Sequence, residues 1–134
     1  MVSPRQQCVS HSNVRHMPGP DRAALDLHLQ ELRRGSVAYA VLLRLRRPGY
    51  GYGLLSDLEK AGLAVDGNTL YPLLRRLEKQ GLVASDWHTD DARPRKVYLV
   101  TPEGESVLEA LTRTWRDLDA SIRLLDAPAT TKAE

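Results

Sequence analysis

One segment of the chain constrains its fold more than any other: residues 66–87, with the sequence "DGNTLYPLLRRLEKQGLVASDW". At 100° per residue, its leucines fall on one face of a helix and must enter a core. These leucines are Leu70, Leu73, Leu74 and Leu77. Gly81 then stops the pattern, and a run of β-prone residues begins. The segment therefore predicts a helix over residues 68–80, followed by a strand.

The opposite face of this helix is polar and holds no carboxylate. It carries Asn68, Thr69, Pro72, Arg75, Arg76 and Lys79, with Glu78 on the flank. Arg and Asn side chains can form paired hydrogen bonds with guanine and adenine edges, and Lys and Thr suit phosphates. A solvated surface has the same composition, so this helix alone leaves both interpretations open.

The elements around this helix predict a mainly α fold with a β-hairpin wing, that is, a winged helix-turn-helix with an appended C-terminal helix. A leucine stripe predicts a first helix from about residue 25 to residue 45, which Gly35 can divide in two. A second helix is expected at Gly51–Ala61. The hairpin is expected from Leu82–His88 and Lys96–Val100, and the last helix starts at Thr101-Pro102-Glu103.

Positive charge is concentrated in the middle of the chain. Residues 33–98 hold 12 Lys/Arg against 7 Asp/Glu, whereas residues 99–134 hold 4 against 7. The tip of the predicted hairpin adds Arg93, Arg95 and Lys96, where flexible cations can meet DNA phosphates. Asp90 and Asp91 lie beside them, so a charged, solvated turn is the alternative.

The last helix carries a heptad seam of apolar residues at spacings of three and four: Leu108, Leu111, Trp115, Leu118, Ile122 and Leu125. The first helix has a similar stripe that includes Leu25, Leu29 and Leu32. The two stripes can pack on each other within one chain, or both can serve a homodimer. We favour the homodimer, because three short helices and a hairpin cannot cover two long seams.

The two tryptophans invite different interpretations. Trp115 lies in the heptad seam, where a core position is one reading. In a dimer, two Trp115 rings near the symmetry axis can instead form a slot for a flat aromatic or cationic ligand. Trp87 in the hairpin is expected to pack against the fold.

Composition excludes several classes of protein. Cys8 is the only cysteine, which excludes an internal disulfide or a cysteine-based zinc site. No apolar run approaches 18 residues and no secretory signal is visible, so we expect a cytoplasmic protein with no membrane partner. The histidines are scattered and no phosphate loop or nucleophile elbow is present, so we expect no catalytic residue, metal or cofactor.

Four segments resemble the PadR family of bacterial transcriptional regulators. They are "LRRGSVAYAVL" at 32–42, "GYGYGLL" at 49–55, "NTLYPLLRRLEKQGLVASDW" at 68–87 and "RPRKVYLVTPEG" at 93–104. "TLYPLLRRLEKQGL" is far more specific than a generic helix-turn-helix pattern. Two departures are visible: Tyr50 stands where many members have His, and "DGNTLYP" replaces a common "PGTLYP".

This resemblance implies a homodimeric winged helix-turn-helix repressor of the smaller class, in which a single short C-terminal helix makes the dimer. It places Asn68, Thr69, Tyr71 and Arg75 on or beside the DNA-reading helix and Tyr52 on the supporting helix. It makes Arg93, Arg95 and Lys96 the wing cations. It also places Trp115 at the position where some multidrug-responsive members of the family stack flat compounds across the dimer.

These observations together predict a regulator, expected to be a repressor, that binds double-stranded DNA at a palindromic operator. The expected domains are an arm at residues 1–20, the DNA-binding domain at 21–102, a dimerisation helix at 103–126 and a tail at 127–134. The arm is expected to be disordered and the tail to be flexible. The alternative is a winged helix that serves as a protein-interaction module without specific DNA binding.

Overall fold

The computed structural model describes residue 19, residues 21–89 and residues 93–128. Its elements are α1 (Arg22–Arg44), β1 (Gly49–Tyr50), α2 (Gly51–Lys60), α3 (Gly67–Lys79), β2 (Val83–His88), β3 (Arg95–Val100) and α4 (Pro102–Asp126). This order confirms the predicted mainly α fold with a β wing. The expected disordered arm and most of the expected tail lie outside the described residues.

The chain divides into two compact units between Arg34 and Gly35. The first unit contributes the N-terminal half of α1, and the second contains every later element. α1 is assigned as one helix of 23 residues that includes Gly35. The sequence had left open a division of α1 at this glycine.

The wing is a three-stranded antiparallel sheet with the strand order β1-β3-β2. β2 and β3 form the predicted hairpin, with Val83 opposite Val100 and His88 opposite Arg95. β1 was not predicted, because its two residues are too few to show a periodicity. It pairs Tyr50 with Val97 and so attaches the segment before α2 to the wing.

Among the described residues, an apolar core lies in the second unit and draws on every helix and on the hairpin. Its buried members are Val41, Leu42, Leu45, Leu54, Leu58, Leu70, Leu73, Leu74, Leu77, Val83, Tyr98 and Leu108. All four leucines of the opening segment are among them, as their spacing predicted. The core therefore fixes which face of α3 remains outside.

Two glycines in the left-handed region end the helices of the helix-turn-helix. Gly62 has φ +86° and Gly81 has φ +78°. The Leu63 backbone N–H donates to the Leu58 carbonyl at 2.8 Å, and that of Leu82 donates to Leu77 at 3.0 Å. These bonds close the ends of α2 and α3, and Gly81 had predicted the end of α3.

The start of α4 is fastened to the turn after α3. The Thr101 hydroxyl accepts from the Gly104 backbone N–H at 3.0 Å and donates to the Gly81 carbonyl at 2.6 Å. A Cβ on Gly104 would lie 2.1 Å from the Leu82 carbonyl oxygen, so the helix packs on backbone at this position. The predicted Thr cap and Pro102 start are both confirmed.

Candidate nucleic-acid interface

The first turn of α3 is fixed by Asp66, whose carboxylate accepts a hydrogen bond from the Thr69 backbone N–H at 3.0 Å. Asp66 is the N-cap, so the helix begins at Gly67, one residue before the predicted start. The carboxylate also suits the positive end of the helix dipole. Our sequence interpretation missed this cap, although an Asp directly before a helical leucine pattern is a known signal for one.

The polar face of α3 is open to solvent along its length. Its residues are all exposed: Asn68, Thr69, Pro72, Arg75, Arg76 and Lys79. The four leucines on the other side are at most 7% exposed, so the helix cannot rotate to hide this face. Pro72 inside the helix also leaves the Asn68 carbonyl without its usual backbone donor. The exposed face therefore carries amide, hydroxyl and guanidinium groups, which are able to bind base edges.

Tyr71 holds α2 and α3 together at the helix-turn-helix. A Cβ on Gly51 would lie 2.5 Å from Tyr71 Cε1, and one on Gly67 would lie 3.1 Å from Tyr71 Cε2. The ring therefore lies against two backbones that lack side chains, and it remains 38% exposed. The contact of the Tyr71 ring with Gly51 and Gly67 was not visible in the sequence. Tyr52, by contrast, is 82% exposed on α2 and has surface to offer a ligand.

Strand geometry separates the three predicted wing cations. Successive side chains of a strand point to opposite faces, so Arg95 and Lys96 lie on different sides of β3. The Lys96 ammonium is 3.5 Å from a Glu78 carboxylate oxygen and 5.6 Å from the centre of the Tyr98 ring. The Arg95 guanidinium lies 5.1 Å from the centre of the Tyr50 ring. Arg93 is exposed near the tip, whose residues 90–92 lie outside the described part of the chain.

Glu78 is the one acidic side chain of α3, and it faces the wing. Its carboxylate accepts from the Ser85 hydroxyl of β2 at 2.5 Å and pairs with Lys96 of β3. The sequence placed Glu78 on the flank of the helix but could not reveal these partners. Both partners of Glu78 are therefore on the wing.

The heptad seam of α4 has two different ends. Leu108 is completely buried in the core of its own chain, and Leu111 is partly buried against that core. Assigning Leu108 to a dimer interface was therefore wrong, because it has no surface to offer a second chain. The distal segment of α4, residues 115–125, is exposed instead. Its seam residues Trp115, Leu118, Ile122 and Leu125 are 52%, 55%, 61% and 82% exposed.

The N-terminal half of α1 also exposes apolar residues within its own unit. Leu25 is 38% and Leu32 is 78% exposed, and Leu29 is half-buried.

Trp87 on β2 is 60% exposed, so the packing expected for it was wrong. The buried core takes Val83 from the start of β2, whereas Trp87 lies near the hairpin end of the strand, opposite Lys96.

Two classes of site were searched for in the described residues. No three histidine, cysteine, aspartate or glutamate side chains there come close enough together to hold a metal ion. Among the helices of the same residues, none combines the length and apolar composition needed to cross a membrane.

The three-stranded wing, the core-locked α3 and its exposed polar face define a winged helix-turn-helix of the DNA-binding class. A sequence model of the "Transcriptional regulator PadR-like family" matches residues 30–110. The chain therefore belongs to the PadR-like family of transcriptional regulators. Members of this family bind DNA and are not enzymes, in agreement with the sequence interpretation.

Individual relatives agree with this assignment. The chain is 34% identical over 91 residues to the transcriptional regulator Rv3488 of Mycobacterium tuberculosis, covering 67% of this chain and 85% of that protein. It is similar to the crystal structure of a PadR family transcriptional regulator from Eggerthella lenta, with 43% identity and a TM-score of 0.73. That match covers 79% of this chain and 96% of the other. A Streptococcus transcriptional regulator matches with 30% identity and a TM-score of 0.66, over 72% of this chain and 97% of the other.

Proposed function

We propose that this protein is a homodimeric cytoplasmic repressor that binds a palindromic operator and is released by a small ligand. The observation that carries DNA recognition is the polar face of α3, held outward by four buried leucines. In this proposal α3 enters the major groove, where Asn68, Thr69 and Arg75 meet base edges. Arg76, Lys79 and the wing cations contact phosphates and set the orientation.

The proposed dimer uses the distal segment of α4 and the exposed leucines of α1. Apolar seams of this size are costly to leave in water, and burying them between two chains removes that cost. A two-fold dimer presents two copies of α3 to DNA, so its operator has two inverted half-sites. The half-sites lie about one helical turn, roughly 34–36 Å, apart.

Repression follows if the dimer occupies promoter DNA and blocks access to it. The direction of regulation is tested by deleting the gene and measuring transcription from the promoter that the protein binds. Repression predicts that transcription rises in the deletion strain and falls again on complementation. A fall in the deletion strain identifies an activator instead.

The proposed ligand is a planar aromatic or cationic compound that binds near Trp115 at the dimer axis. The Trp115 ring is half exposed and can form one wall of a slot whose other wall is the partner's ring. If the ligand binds better to a dimer whose two α3 helices are spaced unlike the operator half-sites, it stabilises that dimer and lowers the affinity for DNA. A panel of such compounds is titrated against a Trp87→Phe variant, whose remaining fluorescence comes from Trp115. Unchanged emission across the panel would reject the ligand, with the double variant Trp87→Phe/Trp115→Ala as the blank.

Specific DNA binding is tested with a labelled duplex from the region upstream of the gene, at two salt concentrations. The proposal predicts a footprinted site whose affinity falls with salt and exceeds that of a scrambled duplex. If no specific, salt-sensitive complex forms, the winged helix is a protein-interaction module.

A further inference from the structure

A cluster of three side chains on the wing joins all three strands of the sheet. Tyr50 is on β1, His88 on β2 and Arg95 on β3. Tyr50 is paired with Val97, and His88 lies opposite Arg95, so strand pairing brings the three positions together. Lys96 is the next residue along β3 and points to the other face, towards Glu78 of α3.

The contacts inside this cluster have defined geometry. The Arg95 guanidinium carbon lies 5.1 Å from the centre of the Tyr50 ring, which is within cation–π range. The rings of Tyr50 and His88 are 6.2 Å apart and meet at 78°, an edge-to-face arrangement. The Tyr50 ring is thus held by the backbone pairing of β1 and by His88, and Arg95 lies over it.

Stacking and phosphate binding use different parts of a guanidinium. The flat face of the group stacks on a ring, whereas its five N–H groups donate in the plane of the group. A guanidinium in cation–π contact with a ring therefore keeps N–H groups that can donate to a phosphate. A side chain that is already ordered by such a contact also loses less rotamer freedom when it binds.

We infer that Tyr50 is a positioning residue that holds the Arg95 guanidinium on the wing for contact with a DNA phosphate. This inference rests on the proposed function, and it adds to it a residue that we had noted only as a departure from the family pattern. Tyr50 is coupled to Arg95, and it is not coupled to Lys96 on the opposite face of β3. His88 supports the ring and makes no DNA contact in this arrangement.

The test compares Tyr50→Leu, which removes the ring, with Tyr50→Phe, which keeps it. Affinity is measured for the footprinted duplex over a range of salt concentrations. Tyr50→Phe is expected to bind like the wild type, whereas Tyr50→Leu binds about two- to fivefold more weakly. The plot of log K against log salt has a negative slope. Arg95→Ala should make this slope about 0.9 less steep, because one phosphate contact is lost, and Tyr50→Leu should shift it in the same direction. A purely structural loss leaves that slope unchanged.

Coupling is measured by repeating Tyr50→Leu on two backgrounds. On Arg95→Ala the substitution should have no further effect, and on the matched control Lys96→Ala it should retain its full effect. The inference is overturned if Tyr50→Leu binds like the wild type, or if its effect is the same on both backgrounds. Thermal unfolding of each variant shows whether weaker binding reflects a smaller folded fraction. If the wild type itself shows no specific DNA binding, the proposed function is rejected. If the wild type binds but the Tyr50 variants behave otherwise than expected, only the inference about Tyr50 is rejected.

Discussion

The leucines of α3 and the apolar residues of the distal segment of α4 recur at the same helical spacings, yet they have opposite surroundings. The α3 leucines are 0–7% exposed, and the seam residues of the distal segment are 52–82% exposed. Helical periodicity determines which side chains share a face, and it does not determine what covers that face. The core covers α3, and we propose that a second chain covers distal α4.

The largest expected effect compares a buried leucine with an exposed one. Leu74→Ala should lower the free energy of unfolding by about 2–5 kcal/mol at every protein concentration, because it leaves a cavity. Leu118→Ala should lower stability only at concentrations where the dimer forms. Urea unfolding at several concentrations measures both. Equal losses at all concentrations would show that Leu118 is a core residue of the single chain.

The next comparison is between two helical glycines, the closely packed Gly104 at the start of α4 and the open Gly53 of α2. Gly104→Ala places a methyl group against the Leu82 carbonyl oxygen and should cost about 1–3 kcal/mol of stability. Gly53→Ala in α2 is the matched control, because nothing lies within 4 Å of its added Cβ. The control should be neutral or slightly stabilising, since Ala favours a helix over Gly. Thermal unfolding of both variants checks this, and a Gly104→Ala variant as stable as the control would contradict the tight packing.

The outer face of α3 is tested by comparing operator DNA with scrambled DNA. Arg75→Ala should cost about 1–3 kcal/mol of operator affinity and much less affinity for scrambled DNA, because base contacts carry specificity. Its fold should be unaffected, as the side chain is exposed. Fluorescence anisotropy with both duplexes measures the difference. Equal losses on the two duplexes would make Arg75 a backbone contact.

The smallest expected effect concerns two ion pairs. The hydrogen bond from the Arg44 guanidinium lowers the pKa of the Asp57 carboxyl in the folded state. The ionised Asp57 carboxylate therefore stabilises the fold at pH values above the unfolded-state pKa of about 3.9. This stabilisation disappears as the pH falls through the lower pKa of the folded state. Asp57→Asn should thus be less stable than wild type at neutral pH and converge with it in acid. Asp119→Asn, which removes an exposed pair with Arg123, should change stability little.

The pH effect is measured as the free energy of unfolding between pH 7 and pH 2.5. A constant difference between Asp57→Asn and the wild type across that range would show that the carboxylate is not linked to folding. The Asp119→Asn curve serves as the control for charge removal from an exposed helix face.

Sequence patterns predicted the fold well where a long periodic segment met a clear stop signal. The α3 leucines with Gly81, and the Thr101 cap of α4, are examples. The patterns failed for β1, which has two residues and exists through its pairing with Tyr98 and Val97. They also failed for Leu108, since a heptad seam does not reveal where the chain's own core ends.

The sequence predicted which residues belong to the candidate interface, but it did not predict how they are arranged. The exposed residues of α3 were named correctly, because four buried leucines leave the helix one orientation. The wing cations were grouped by proximity in sequence, whereas strand alternation places Arg95 on Tyr50 and Lys96 on Glu78. Contacts between elements distant in sequence, such as that of Glu78 with Ser85, need the folded chain.

The most direct test of the account is the number of chains bound to one operator. Sedimentation of a labelled duplex that carries the footprinted site, at micromolar protein, gives this number. A homodimer that uses both α3 helices predicts a discrete complex of two chains per duplex, formed by a protein that is already dimeric without DNA. A monomeric protein that binds as one chain per duplex would contradict it.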